Sequence, residues 1–89
     1  MFELKDQTIM VTGGAQGIGK AISSVLAGQG ARVAIVDIDA AVAGQAADEI
    51  NRESGTAMSV QADITELEKV KQAVARVREQ FGAVDVLVN

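Results

Sequence analysis

Apolar and polar positions follow two periods along this chain, and the switches between them mark its elements. Residues 8–12 form a short apolar run around Ile9-Met10-Val11, the pattern of a buried strand. Further on, Ile18, Ala21, Ile22, Val25 and Leu26 fall on one stripe at i, i+3, i+4, i+7 and i+8, the pattern of a core-facing helix. Gly28 and Gly30 supply its stop. Ala31 to Val36 is a second continuous apolar strand, as expected in a parallel sheet covered on both faces, and it closes with Asp37-Ile38-Asp39. A second helix is predicted from about Ala40 to Ser54, with Val42, Ala46 and Ile50 inward and Gly55 at its stop. From Ala57 to Ala62, Met58 and Val60 alternate with Ser59 and Gln61, which marks a sheet edge. Thr65-Glu66-Leu67-Glu68 reads as a capping box. The helix it opens carries Leu67, Val70, Val74, Val77 and Phe81 on one face and ends at Gly82. Val84 to Val88 is a fourth strand.

The order is therefore βαβαβαβ, without a linker, a low-complexity segment or an internal repeat. Strands alternating with helices imply a parallel sheet with right-handed crossovers. The expected fold is α/β, a Rossmann-like half with four parallel strands in the order 3-2-1-4, filling residues 1–89 as one small domain.

One junction carries candidate chemistry. Thr12-Gly13-Gly14-Ala15-Gln16-Gly17-Ile18-Gly19-Lys20-Ala21 lies between the first strand and the first helix. Glycines let the backbone approach an anion, and the free N–H groups of a helix start point at it with the favourable end of the dipole. Two phosphate ligands compete for such a turn. Gly14, four residues, then Gly19-Lys20 fits the start of a P-loop, but Ala21 stands where a Ser or Thr must hold magnesium. Ser23 lies two residues beyond and faces elsewhere on the helix. The other reading is a dinucleotide site. Asp37 ends the second strand, 18 residues past Gly19, where a carboxylate accepts both ribose hydroxyls of an adenosine and repels a 2′-phosphate. No Arg or Lys follows in residues 38–44 to welcome that phosphate. Asp39 is free to cap the second helix, which leaves Asp37 for the ribose.

Composition narrows the chemistry further. Hydrophobic residues make up 48% and aromatics 2%, so any core is built from Val, Ile, Leu and Ala. The net charge of −4, with no basic cluster, argues against nucleic acid or an anionic membrane as partner. With no Cys and no His, thiol nucleophiles, disulfides and zinc sites of the usual kind are excluded, so no metal is expected. There is also no Pro and no Tyr. Met1 to Asp6 lacks the basic and apolar regions of a signal peptide, and no apolar run approaches a membrane span. The expected location is the cytoplasm.

The motif Thr12-Gly13-x-x-x-Gly17-Ile18-Gly19 resembles the cofactor motif of the short-chain dehydrogenases/reductases. So do Asp37, the segment Ala62-Asp63-Ile64-Thr65 and the ending Asp85-Val86-Leu87-Val88-Asn89. The resemblance implies that Gly13, Gly17 and Gly19 hold a pyrophosphate, with Gln16 and Ile18 flanking the cofactor. It implies that Asp37 binds the adenine ribose and selects NAD over NADP. Asp63 would bond the adenine amino group, with Ile64 against the ring. Asn89 would open the family's Asn-Asn-Ala-Gly segment and steady the cofactor edge of the sheet. The family moves hydride between nicotinamide and a carbonyl or alcohol, with a Tyr as proton donor and a Lys four residues on. This sequence has no Tyr, so no catalytic residue is assigned. Lys5, Lys20, Lys69 and Lys71 read as solvated surface, and Ser23-Ser24 as part of the first helix.

The expectation is the cofactor-binding half of such an oxidoreductase, cut after the fourth strand and binding NAD without turnover. The alternative is a non-catalytic assembly module with negligible cofactor affinity. In either case the fourth strand becomes an apolar edge, so a homo-oligomer is expected through that strand or through the exposed face of the third helix.

Overall fold

Three helices and four strands alternate along the chain in the computed structural model, which describes residues 4–89. In order they are β1 (Thr8–Thr12), α1 (Gly17–Gly28), β2 (Arg32–Asp37), α2 (Ala40–Arg52), β3 (Thr56–Gln61), α3 (Leu67–Phe81) and β4 (Val86–Val88). The sheet order is β3-β2-β1-β4, and every neighbouring pair is parallel. The expected architecture and strand order are those observed.

The apolar runs are long enough for strands and apolar on both faces because both faces are covered. Ile9, Val11, Val33 and Ile35 point to one side, where they meet Ala27 of α1 and Ala43, Ala46, Ala47 and Ile50 of α2. Met10, Ala34, Val36, Met58 and Val60 point to the other, against Ala73 and Val77 of α3. Alternate residues of one strand thus feed two cores. With almost no aromatics, the helices approach through alanines, which lets their backbones lie close to the sheet. β4 registers Val86 with Ile9 and Leu87 with Met10, yet Val86 and Leu87 remain exposed.

The N-terminal end of the sheet is locked by side chains. The Thr8 amide donates to Asp85 Oδ2 at 2.8 Å, and the Asp85 amide donates to the Thr8 carbonyl at 2.9 Å. The Thr8 hydroxyl accepts from Arg32 Nε and Nη2 at 3.3 and 3.2 Å, so β1, β2 and the approach to β4 share one node.

Several local expectations are corrected. The stripe of α1 is turned only partly toward the sheet: Leu26 packs against the core, but Ile18 is 81% and Val25 63% exposed, whereas Ser23 and Ala27 are buried. The helix starts so close to the glycine turn that only small side chains fit beneath it, and the apolar stripe is rotated partly outward. The face expected of α3 meets the sheet through Val77, with Val74 and Phe81 packed beside it and Ala73 added, and only Leu67 at its start turns out, 67% exposed. The capping box of Thr65 and Glu68 does not form. Glu66 is the N-cap, without a side-chain cap bond, and Thr65 turns back to Asp63. α2 stops at Arg52, before the predicted Ser54, which takes a left-handed φ of 70°. Asp39 caps α2 as expected, its Oδ1 accepting from the Val42 amide at 3.1 Å. No helix among the described residues is long and apolar enough to cross a membrane.

These placements separate two substitutions that the periodicity alone treats alike. Ile35→Ala removes a side chain with no exposure and is expected to cost about 2–5 kcal/mol. Val25→Ala, on the outward stripe of α1, is expected to change stability by less than about 0.5 kcal/mol. Urea unfolding followed by circular dichroism measures both.

Candidate functional site

The turn after β1 is shaped by close backbone contacts. The Gly13 amide donates to the Val36 carbonyl at 2.7 Å, which ties the turn to the end of β2. Gly13 and Gly17 adopt φ of 67° and 55°, in the left-handed region that side chains disfavour. Gly19 packs against the Gly13 carbonyl so tightly that a Cβ there would collide with that oxygen. Ser23 closes the fold of the turn from below, donating from Oγ to the Gly19 carbonyl at 2.9 Å and lying 3.4 Å from the Gly14 carbonyl.

Gln16 is the N-cap of α1, extended and without a side-chain cap bond, and the first turn of the helix holds no acidic residue. The positive end of the helix dipole is therefore offered outward, uncompensated by any carboxylate on its own helix. Gln16, Gly17 and Ile18 are exposed around it. The Lys20 ammonium does not lie over the turn. It pairs with Glu49 Oε2 of α2 at 2.8 Å, and that pairing holds the Glu49 carboxyl below its ordinary value. Lys20 is thus a surface-exposed partner for α2, and it is not positioned as a P-loop lysine.

Beside the turn, at the C-terminal ends of β1, β2 and β3, a cleft of about 240 Å³ is lined by Gly13, Val36, Asp37, Ile38, Ala62, Asp63 and Ile64. In open parallel sheets, ligands bind outside the C-terminal ends of the strands. Asp37 accepts from the Asp39 amide through Oδ1 at 3.1 Å. Asp63 accepts twice from Thr65 through Oδ1, from the hydroxyl at 2.6 Å and from the amide at 3.0 Å. Those two bonds hold the Asp63 carboxyl below its ordinary value of 3.8. Exposed Ile38 and Ile64 give the rim an apolar surface on either side.

Of the residues singled out from the sequence, Gly13, Asp37, Asp63 and Ile64 come together in this one cleft. Gln16, Gly17, Ile18 and Gly19 form the adjoining helix start. Asn89 stands apart at the end of β4, where its Oδ1 accepts from the Thr12 hydroxyl at 2.8 Å. Ile38 was not foreseen, although a large apolar residue directly after a strand-ending carboxylate is a readable signal. Gln61 was not foreseen either. Its Nε2 donates to the Ile38 carbonyl at 3.2 Å, and alternation along β3 marks it only as outward-facing. Among the described residues, no group of three or more acidic, His or Cys side chains could hold a metal ion.

A parallel 3-2-1-4 sheet, with a glycine turn at its first strand–helix junction and a carboxylate ending its second strand, defines a Rossmann-type nucleotide fold. The family model for short chain dehydrogenase matches residues 7–89, and the chain belongs to that family of oxidoreductases. It is 46% identical over 90 residues to L-rhamnose 1-dehydrogenase (NAD(P)(+)) of Azotobacter vinelandii, covering 97% of this chain and 35% of that one. A hydroxysteroid dehydrogenase from Escherichia coli superposes with a TM-score of 0.95 at 34% identity, over 98% of this chain and 37% of that one. A putative D-mannonate oxidoreductase from Haemophilus influenza, solved with bound NAD, superposes with a TM-score of 0.92 at 28% identity, over 96% and 30%. The chain spans about a third of the length of the curated relatives it matches.

Two measurements test the local geometry. Gly19→Ala forces a methyl group against the Gly13 carbonyl and is expected to cost about 1–3 kcal/mol in urea unfolding. Asp63 is expected to titrate below 3.8 by NMR, and Thr65→Val to raise that value by removing the hydroxyl donor. Because the folded value is depressed, the Asp63 contribution to stability is present above pH 3.8 and is lost as the pH falls through the lower folded value.

Proposed function

We propose that these residues form the adenosine- and pyrophosphate-binding half of a short-chain oxidoreductase that prefers NAD to NADP. The observation that carries this reading is the placement of Asp37. Its carboxylate stands in the wall of the cleft with Oδ1 fixed by the Asp39 amide, which leaves Oδ2 for a ribose hydroxyl. The cleft lining holds no Lys or Arg, so a 2′-phosphate would meet a carboxylate and no compensating cation. The pyrophosphate would rest on the amides at the α1 N-terminus. Gly13, Gly17 and Gly19 give close approach there, and Gln16 and Ile18 flank it. Asp63 and Ile64 would receive the adenine, one by hydrogen bonding and the other by apolar contact. Asn89 would steady the β1–β4 edge through Thr12.

When bound, the nicotinamide supplies hydride exchange with a carbonyl or alcohol. The residues described here bind and orient the adenosine end. The chain has no Tyr, His or Cys to hold or deliver a proton at a reacting oxygen. These residues are therefore read as a cofactor-binding part of such an oxidoreductase. A second reading, assembly without cofactor, is favoured by the exposure of Val86 and Leu87 on the free edge of β4.

Calorimetric titration separates the two. NAD is expected to bind more tightly than NADP. Asp37→Ala is expected to weaken NAD by about ten-fold or more, the size of a hydrogen bond to a charged group, and to abolish the preference. No oxidation of alcohols is expected from the 89-residue chain. Equal and negligible heats for both cofactors, with dimer formation in light scattering, would favour assembly.

A further inference from the structure

The β2–β3 ladder ends where Asp37 registers with Gln61, and one more backbone bond, from the Ala62 amide to the Asp37 carbonyl at 3.1 Å, closes it. The next carbonyl on the β2 side belongs to Ile38. It receives the Gln61 side chain, whose Nε2 donates to it at 3.2 Å. Gln61 stands exposed at the end of an edge strand and buries nothing. Its amide extends the ladder by one rung, made from a side chain in place of backbone.

That rung falls on the segment that aims Asp37. Residues Asp37, Ile38 and Asp39 connect β2 to α2 and are fixed at both ends. On one side is the strand ladder, and on the other is the Asp39 cap on the Val42 amide. Between these points the Asp39 amide holds Asp37 Oδ1. The peptide joining Ile38 to Asp39 carries that amide on one end and the Ile38 carbonyl on the other. Anchoring the carbonyl anchors the amide, because the peptide unit is planar. Without the anchor, rotation of this one peptide moves the Asp39 amide away from Asp37 and frees the carboxylate to swing out of the cleft.

We infer that Gln61 is a positioning residue that holds the Ile38 peptide, aims the Asp37 carboxylate and so sets the preference for NAD over NADP. This rests on the cleft being the adenosine site. Gln61 is not among the residues that line the cleft, and it acts through the backbone.

Gln61→Met keeps the length of the side chain and removes the donor. Its expected effects are an unchanged urea midpoint, amide exchange of Asp39 faster by about five-fold in NMR, and an NAD affinity lower by a similar factor, with NADP unaffected. Placed on Asp37→Ala, the same substitution is expected to change NAD binding no further, since the group it aims is gone. An Asp39 exchange rate and an NAD-to-NADP ratio both unchanged by Gln61→Met would overturn the inference. Losses that add to those of Asp37→Ala would overturn it too. If the unsubstituted chain shows no NAD preference and Asp37→Ala is silent, the cofactor reading falls. The Asp39 exchange rate then decides alone whether Gln61 holds the loop, an unchanged rate overturning that as well.

Discussion

The contact between Gly19 and the Gly13 carbonyl is the constraint on which the arrangement of this fold depends. It brings the first turn of α1 down onto the end of β1, with only backbone between them. Everything placed beneath the helix must then be small. Ser23 and Ala27 fill that space, and the Ser23 hydroxyl reaches the Gly19 carbonyl of the preceding turn. Ile18 and Val25 are turned outward as a result, while Leu26 reaches the core from the side. The same closeness leaves the helix dipole beside the cleft, because no side chain intervenes to cap it.

Around the cleft, the carboxylates share one manner of attachment. Asp37, Asp39 and Asp63 each use Oδ1 to accept an amide two or three residues further along the chain. Such local bonds orient a carboxylate without burying it. The site is therefore built from partly or fully exposed groups whose direction is set by the backbone. Acidic side chains at the ends of β2 and β3 make an environment suited to hydroxyl and amino donors, while the amides of α1 suit an anion. The two halves of the region differ in sign, and a molecule with a phosphate in one part and hydroxyls in another matches both.

How much of this was legible in the sequence depends on which physical signal each feature leaves. The strands were legible because Val33 to Val36 and Ile9 to Val11 are buried on both faces and must be apolar throughout. Asp39 was legible as a cap because its position before a helical pattern leaves few other uses. The orientation of α1 was not, since periodicity finds an apolar stripe but cannot tell which face meets the sheet when a backbone contact sets the distance. The capping box failed for a related reason. The Thr65 side chain turns back to donate to the Asp63 carboxylate, and the helix opens one residue later at Glu66. Within the cleft, glycines and carboxylates announced themselves by type and spacing. Gln61 did not, because its role depends on a residue 23 positions away that only the β2–β3 register brings beside it.

The two ends of the sheet are not equivalent in their freedom. At the N-terminal end, Thr8 is gripped by Asp85 and Arg32, so β1, β2 and the start of β4 cannot part without breaking several bonds at once. At the other end the strands pass into exposed turns, in which Asp37, Asp39 and Asp63 bond amides of their own segments. Separating the strands at the N-terminal end therefore breaks bonds from side chains of three adjacent strands or their approaches, whereas the turns at the opposite end are held mainly by bonds within each turn.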